Sequence, residues 1–127
     1  MDLMSAAAVG AGAALGALLR CWLGAMFNPI FPTLPMGTLA ANWLGGFIMG
    51  IAMGLIANYQ ALSPELRLFI TTGFLGGLTT FSTFSAETVT LFLRTQYGWA
   101  FAAILMHVAG SLTMTLLGFF SYRLIRL

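Results

Sequence analysis

The chain alternates four long apolar runs with short polar connections. A helix needs roughly 20 apolar residues to cross a bilayer, and runs of about that length occupy residues 3–26, 36–58, 66–94 and 98–122. The first connection contains three prolines within residues 28–35, which exclude a continuous helix there. The pattern predicts an all-α integral membrane protein with four transmembrane helices in a single domain, residues 1–127.

The third apolar run is irregular at its centre. Residues 71–87 have the sequence TTGFLGGLTTFSTFSAE, in which glycines are followed by a Thr79-Thr80 pair. In lipid, irregular backbone persists only where it is buried in protein or lines a cavity, because its polar groups need partners. We therefore predict a third helix that is broken near mid-membrane. Such breaks are typical of ion or substrate sites.

Glycines recur at a spacing of four in the first two runs. The first run contains Gly12 and Gly16, and the second contains Gly46, Gly50 and Gly54. This spacing places small residues on one helix face, where it allows close packing of a neighbouring helix. No strand precedes these glycines, so they do not indicate a nucleotide-binding loop.

The composition agrees with a membrane protein. Apolar residues make up 60% of the chain and charged residues only 6%, against about 25% charged in a soluble domain. The arginines lie singly at the ends of apolar runs and form no basic patch, so we expect the lipid bilayer and not nucleic acid as the partner. The single cysteine excludes an intrachain disulfide or a cysteine-based metal site.

The arginines give almost no orientation signal. With four spans, three arginines (Arg67, Arg123 and Arg126) lie on one side of the membrane and two (Arg20 and Arg94) on the other. Orientation normally follows a clear Lys/Arg asymmetry. A chain with so little bias can insert both ways and pair as an antiparallel dimer, although an orientation set by the C-terminal arginines is the alternative.

Polar side chains line two of the predicted helices. Thr38 and Asn42 are one turn apart in the second run, and His107, Ser111 and Thr115 follow each other at intervals of four in the last. A buried amide without partners costs several kcal/mol, so Asn42 must face other helices or water. A helix–helix hydrogen bond for Asn42 and a purely structural role for His107 are the alternatives to a polar conduction path.

The TFSTFS segment combines aromatic and hydroxyl side chains. Phe81 and Phe84 are three residues apart, and their rings have positive edges that two together could turn toward an anion. Simple packing of these rings is the alternative. Glu87 ends the segment, and an intramembrane carboxylate is a functional candidate; it could also lie at the interface or pair with Arg20 or Arg94.

The residues described above resemble the small dual-topology fluoride channels of the Fluc (CrcB) family. The matching pieces are the Arg20 region, GTLAAN ending at Asn42, GFLGGLTTFSTFSAE at 73–87 and GSLTMT at 110–115, so the resemblance covers essentially the whole chain. It implies an antiparallel, dual-topology homodimer in a bacterial inner (plasma) membrane. It also implies passive export of fluoride through two pores, each built from both subunits.

The resemblance further implies roles for individual residues. Asn42 would be the pore asparagine, Phe81 and Phe84 would supply ring edges, and Ser111 and Thr115 would form a polar track. Thr38 and His107 are added to this path as polar neighbours on the same helices.

A sodium ion is also implied. The carbonyls of Gly76 and Thr79 from both subunits would surround a central, structural Na⁺ that is not transported. Arg20 would add a positive field that favours anions, or would only reach toward the interface. Two departures from the family pattern, Trp43 and His107, bear on pore width, pH dependence and conduction rate.

Other function classes fit less well. Proton-coupled small multidrug transporters are also four-span dual-topology dimers, but they depend on a glutamate in the first span, which this chain lacks. A structural subunit of a larger complex would not need a broken third helix. No paired carboxylates, metal-ligand cluster or nucleophile–base set is evident in the sequence, so we expect no enzymatic activity.

Overall fold

The computed structural model describes residues 1–126, and this part of the chain contains helices and no strand. The α-helices are α1 (Leu3–Phe27), α2 (Met36–Asn58), α3 (Pro64–Leu68), α4 (Gly76–Leu78), α5 (Phe81–Leu93) and α6 (Tyr97–Arg126). A 3₁₀ turn, Asn28–Ile30, follows α1, and a π-helix, Phe69–Leu75, joins α3 to α4. The prediction of an all-α protein is confirmed.

Three of the helical segments are long and apolar enough to cross a membrane. They are Leu3–Ile30, Met36–Asn58 and Tyr97–Arg126. The fourth predicted span, residues 64–93, consists of α3, the π-helix, α4 and α5 in series. The membrane-protein prediction is thus confirmed at the level of helices, and the antiparallel dimer stays a prediction.

The last helix is longer than the apolar pattern indicates. We predicted an end near residue 122, but α6 continues to Arg126. No helix-breaking residue follows Tyr122, and Arg123 and Arg126 interact favourably with the negative C-terminal end of the helix. The prediction therefore stopped where hydropathy fell and not where the helix ends.

Two helices begin at side-chain caps. Asp2 Oδ1 accepts a hydrogen bond from the backbone N–H of Ser5 at 2.8 Å, which starts α1. This bond holds the pKa of the Asp2 carboxyl below its usual range. Ser63 Oγ accepts from Leu66 N–H at 3.2 Å, and Pro64 occupies the first turn of α3, where its missing N–H costs nothing.

The third span is broken roughly halfway along, as predicted. Helix α4 ends at Leu78, and the next two residues are extended: Thr79 has ψ 155° and Thr80 has φ −147°, ψ 119°. The Thr79 hydroxyl donates back to the Leu75 carbonyl at 2.8 Å, which closes the preceding turn. Helix α5 then starts afresh with Thr80 as its cap.

Glycines allow α1 to lie directly against the third span. A Cβ added to Gly73 in the π-helix would lie 3.1 Å from Gly12 Cα, and one added to Gly16 would lie 2.7 Å from the backbone nitrogen of Leu78. Only a bare backbone fits at such a crossing. The predicted packing role of Gly12 and Gly16 is confirmed.

The second helix packs against α6 in the same way. A Cβ on Gly50 would lie 2.6 Å from the backbone nitrogen of Phe119, and one on Gly54 would lie 2.9 Å from Cγ of Tyr122. Buried apolar residues form two clusters among the helices. One contains Leu23, Ala41, Ala52, Leu75 and Leu78, and the other contains Leu34, Leu39, Leu91, Ala100 and Ala103. Thr38 and His107 are nearly buried polar side chains within this apolar body.

Candidate functional site

The side chain of Asn42 spans the break in the third span. Its Oδ1 accepts a hydrogen bond from Thr80 N–H at 2.7 Å, and its Nδ2 donates to the Thr80 carbonyl at 3.1 Å. The amide thus replaces the helical partner that the Thr80 N–H has lost, as backbone at this depth requires, and it gives the Thr80 carbonyl a further donor. The helix–helix hydrogen bond that the sequence left open for Asn42 is therefore present.

His107 on α6 continues this contact. Its Nδ1 lies 3.0 Å from Asn42 Nδ2, and its ring lies over Phe84 with 4.7 Å between ring centroids. Only 4% of His107 is exposed. Side chains from α2, α5 and α6 therefore meet beside the break.

A groove opens beside this meeting point. Its volume is about 360 Å³, and it is lined by Asn42, Thr79, Thr80, Phe81, Phe84, His107, Val108, Ser111, Leu112 and Thr115. Six of the seven side chains that we assigned to a fluoride path lie in this groove. The seventh, Thr38, does not line it. None of the ten lining residues is charged.

The two phenylalanines meet edge to face. The ring centroids of Phe81 and Phe84 are 5.5 Å apart with 70° between the ring planes, an arrangement that the ring quadrupole favours. Phe84 is nearly buried, whereas 77% of Phe81 is exposed. The groove therefore has one fixed ring and one ring that reaches the protein surface.

The hydroxyls of Ser111 and Thr115 on α6 differ in their hydrogen bonding. Thr115 Oγ1 donates to the Ser111 carbonyl of its own helix at 3.0 Å, as hydroxyls in membrane helices usually do. Across residues 1–126, no hydrogen bond involves the hydroxyl of Ser111. This hydroxyl is thus the one on the α6 stripe that stays available to a ligand.

The break releases the two carbonyls that we assigned to sodium. In a continuous helix, Thr80 N–H would bond the Gly76 carbonyl and Thr83 N–H would bond the Thr79 carbonyl. Here Thr80 N–H donates to Asn42 Oδ1, and Thr83 N–H donates to Thr80 Oγ1 at 3.1 Å. Both carbonyls therefore lack their helical partners. Gly76 is also exposed at the protein surface.

Arg20 is the hydrogen-bond donor to a third carbonyl at the break. Its Nε donates to the Gly77 carbonyl at 2.9 Å, so α1 carries a cationic group to this point. The arginine is half-buried and makes no ion pair with any group in the described part of the chain. The sequence left its role open between an anion-attracting field and an interface anchor. Its direct bond to the break was not foreseen.

Glu87 has a different partner from those we considered. Its carboxylate accepts a hydrogen bond from Thr38 Oγ1 at 2.6 Å and pairs with neither Arg20 nor Arg94. Glu87 and Arg94 do line a second cavity of about 390 Å³, between the 32–35 loop and α5. The suggested ion pair is therefore wrong, and the Thr38–Glu87 bond lies outside the first groove.

Two further contacts were not predicted. Trp43 Nε1 donates to the Met106 carbonyl at 2.9 Å, and a Cβ on Gly110 would lie 2.7 Å from Cε2 of the Trp43 ring. This contact fixes α6 against α2 next to Asn42 and His107. The bulk of Trp43 and the small size of Gly110 were the only sequence signals.

No group of three or more His, Cys, Asp or Glu side chains able to hold a metal occurs within residues 1–126.

A small multi-pass membrane protein with one interrupted span and an uncharged groove of mixed polar and apolar side chains beside the interruption has the architecture of an ion channel or transporter. Residues 7–119 match the family described as "CrcB-like protein, Camphor Resistance (CrcB)". The chain belongs to the CrcB family, as its motifs indicated.

Curated relatives cover nearly the whole chain. It is 62% identical over 118 residues to the "Fluoride-specific ion channel FluC" of Nitrosospira multiformis, which covers 93% of this chain and 92% of that protein. The protein of the same name from Chromohalobacter salexigens is 59% identical over 115 residues (91% and 87%). That of Chromobacterium violaceum is 57% identical over 119 residues (94% of each). These relatives are named as ion channels and not as enzymes.

Proposed function

We propose that this protein is a fluoride-selective channel that lets F⁻ leave the cell passively, after the weak acid has entered and dissociated. The observation that carries the proposal is the uncharged groove beside the broken span, which is lined by two phenylalanines and by side chains that can donate hydrogen bonds. The names of the bacterial relatives give the ion, and their bacterial origin fits an inner (plasma) membrane.

The groove suits a small, strongly hydrated anion. Such an ion enters a pore only if protein donors replace its water, and it leaves only if binding stays weak. Phe81 and Phe84 offer ring edges, and Ser111 offers a free hydroxyl. The N-terminus of α5 adds a partial positive charge at the break. No cationic side chain lines the groove, so an anion is attracted without being trapped.

A second copy of the chain would complete the pore. Phe81 is 77% exposed and Gly76 is also exposed, although both lie at the functional break. The near balance of arginines, three against two, fits an antiparallel arrangement. Two such copies would form two pores, each built from both subunits, and two-fold dimers are the commonest assembly.

The break also fits a structural sodium ion. The carbonyls of Gly76 and Thr79 have lost their helical partners, and backbone carbonyls at a helix break are suitable ligands for Na⁺. When bound, the ion would supply positive charge that ties the breaks of two subunits together. The residues of this chain would hold it through backbone oxygen alone.

Ion efflux from liposomes tests the proposal. Purified protein is reconstituted, and fluoride and chloride electrodes record release side by side. We expect fast fluoride release with negligible chloride release. Silence for both ions, with the protein folded and dimeric, would overturn the channel proposal.

That silent outcome would favour a proton-coupled multidrug-type transporter. Its candidate proton-carrying carboxylate in the third span is Glu87, which is bonded to Thr38 outside the groove. Drug-dependent proton uptake into the same liposomes measures this activity directly.

A further inference from the structure

We propose that His107 presents its Nε2–H to the groove as the N–H donor for the permeating anion, and that Asn42 acts as the residue that positions His107. This inference rests on the proposed channel function. It assigns different tasks to two side chains that the sequence analysis placed on one polar path.

The orientation of the Asn42 amide is fixed by the backbone. Thr80 N–H can only donate, so the amide atom 2.7 Å from it must be the oxygen. The amide nitrogen then faces the Thr80 carbonyl at 3.1 Å. A flipped amide would place two donors together and two acceptors together, so only one orientation is compatible with this geometry.

The same logic fixes the tautomer of His107. One hydrogen of Asn42 Nδ2 is used by the Thr80 carbonyl, and the other points to His107 Nδ1 at 3.0 Å. Because an amide nitrogen can only donate, Nδ1 must accept with its lone pair. The imidazole is therefore neutral and carries its hydrogen on Nε2.

Among the side chains that line the groove, His107 has the one N–H group, at Nε2, that is not already hydrogen-bonded. Both hydrogens of Asn42 are engaged, and His107 Nε2 has no hydrogen-bond partner within residues 1–126. No side-chain nitrogen or oxygen in this part of the chain is both buried and without a partner. Nε2 thus keeps accessible surface, and His107 lines the groove.

Most groove hydroxyls are already engaged as donors. Those of Thr79, Thr80 and Thr115 donate to Leu75, Thr83 and Ser111 respectively. An anion in the groove therefore meets two free side-chain donors, His107 Nε2–H and the Ser111 hydroxyl, which are one helical turn apart on α6. This spacing makes them consecutive binding positions for the anion along the groove.

The surroundings favour a neutral imidazole at this position. The faces packed against His107 supply Asn42 from α2 and Phe84 from α5, and no charged residue lines the groove. Glu87, on the next turn of α5, is turned to Thr38. A hydrogen on Nδ1 would face the Asn42 donor and abolish their bond.

Two substitutions separate the proposed roles. Asn in His107→Asn places its amide oxygen near the Nδ1 position, so it can accept from Asn42 but offers no N–H at the Nε2 position. Gln in His107→Gln reaches the Nε2 position with an N–H but leaves Asn42 without its acceptor. We expect His107→Asn to lose about tenfold or more in fluoride efflux, as for a lost hydrogen bond to a charged group. His107→Gln should lose less than His107→Asn, because it keeps an N–H at the Nε2 position although Asn42 no longer positions it.

Other efflux results contradict the proposal. His107→Asn with the rate of the unchanged protein would show that the Nε2–H is not used. Equal loss in both variants would show that His107 serves packing alone. An unchanged protein that conducts no fluoride would instead overturn the proposed function, so the two failures are distinguishable.

Nuclear magnetic resonance tests the tautomer without any substitution. The chain has one histidine, so ¹⁵N-histidine labelling gives signals from this ring only. We expect the Nε2–H tautomer, with the Nε2 signal shifted by fluoride and unaffected by chloride. An Nδ1–H tautomer, or an Nε2 signal that ignores fluoride, would overturn the proposal.

Discussion

Replacing Gly50 by alanine tests the close approach of α2 and α6. The added Cβ would lie 2.6 Å from the backbone nitrogen of Phe119 and 2.9 Å from the carbonyl carbon of Thr115. Restoring ordinary contact requires α6 to move away by roughly 1 Å. Overpacking of this kind costs about 1–3 kcal/mol, and the better helix propensity of alanine returns about 1 kcal/mol. We expect a net loss of up to about 2 kcal/mol in the free energy of unfolding, which is a loss of about 1–3 kcal/mol relative to an alanine that meets no steric contact.

Thermal unfolding in detergent, followed by circular dichroism, measures this loss. Gly98→Ala on α6 and Gly10→Ala on α1 are matched controls, because a Cβ at either position meets nothing within 4 Å. Both controls should be as stable as the unchanged protein or slightly more stable. A Gly50→Ala protein as stable as the two controls would refute the packing argument. Fluoride efflux should also fall in Gly50→Ala, since α6 carries half of the groove.

Three further substitutions act at the break. Asn42→Asp should slow fluoride efflux, because a carboxylate cannot donate to the Thr80 carbonyl and repels an anion; an unchanged rate would take Asn42 out of the pore. Phe81→Ile should slow efflux while the gel-filtration profile stays that of the unchanged protein, and an unaffected rate would assign this ring to packing. Arg20→Met should lower the free energy of unfolding by about 1–3 kcal/mol, because the Gly77 carbonyl loses its donor. Arg20→Lys, which keeps a donor, should lose less, and equal losses in chemical denaturation would contradict this explanation.

Hydropathy and turn residues were sufficient to predict most of the helical framework. The break was predictable because glycines and the Thr79-Thr80 pair interrupt an otherwise continuous apolar run. The π-helix Phe69–Leu75 was not predicted. It lies where Gly73 meets Gly12 of α1, and the spacing of the glycines in α1 predicts close packing but not which segment packs there.

The candidate site was predictable as a set of residues but not as a network. Spacing of four placed His107, Ser111 and Thr115 on one face, and the structure brings that face to Asn42. The bond between Asn42 and His107 depends on how α6 is shifted along α2. The contact of Trp43 with α6 fixes this register, and a single sequence does not reveal it.

The single interruption of the third span places two helix ends with opposite partial charges close together. The C-terminal end of α4 exposes carbonyls that suit a cation, whereas the N-terminal end of α5 is positive and suits an anion. A continuous helix would offer neither, because each carbonyl would bond the N–H four residues later. Side chains from other helices bond the backbone groups at the break. Asn42 bonds the N–H and the carbonyl of Thr80, and Arg20 bonds the carbonyl of Gly77. The same side chains that make the break stable therefore decide which backbone groups remain free for the sodium and fluoride ions that we propose.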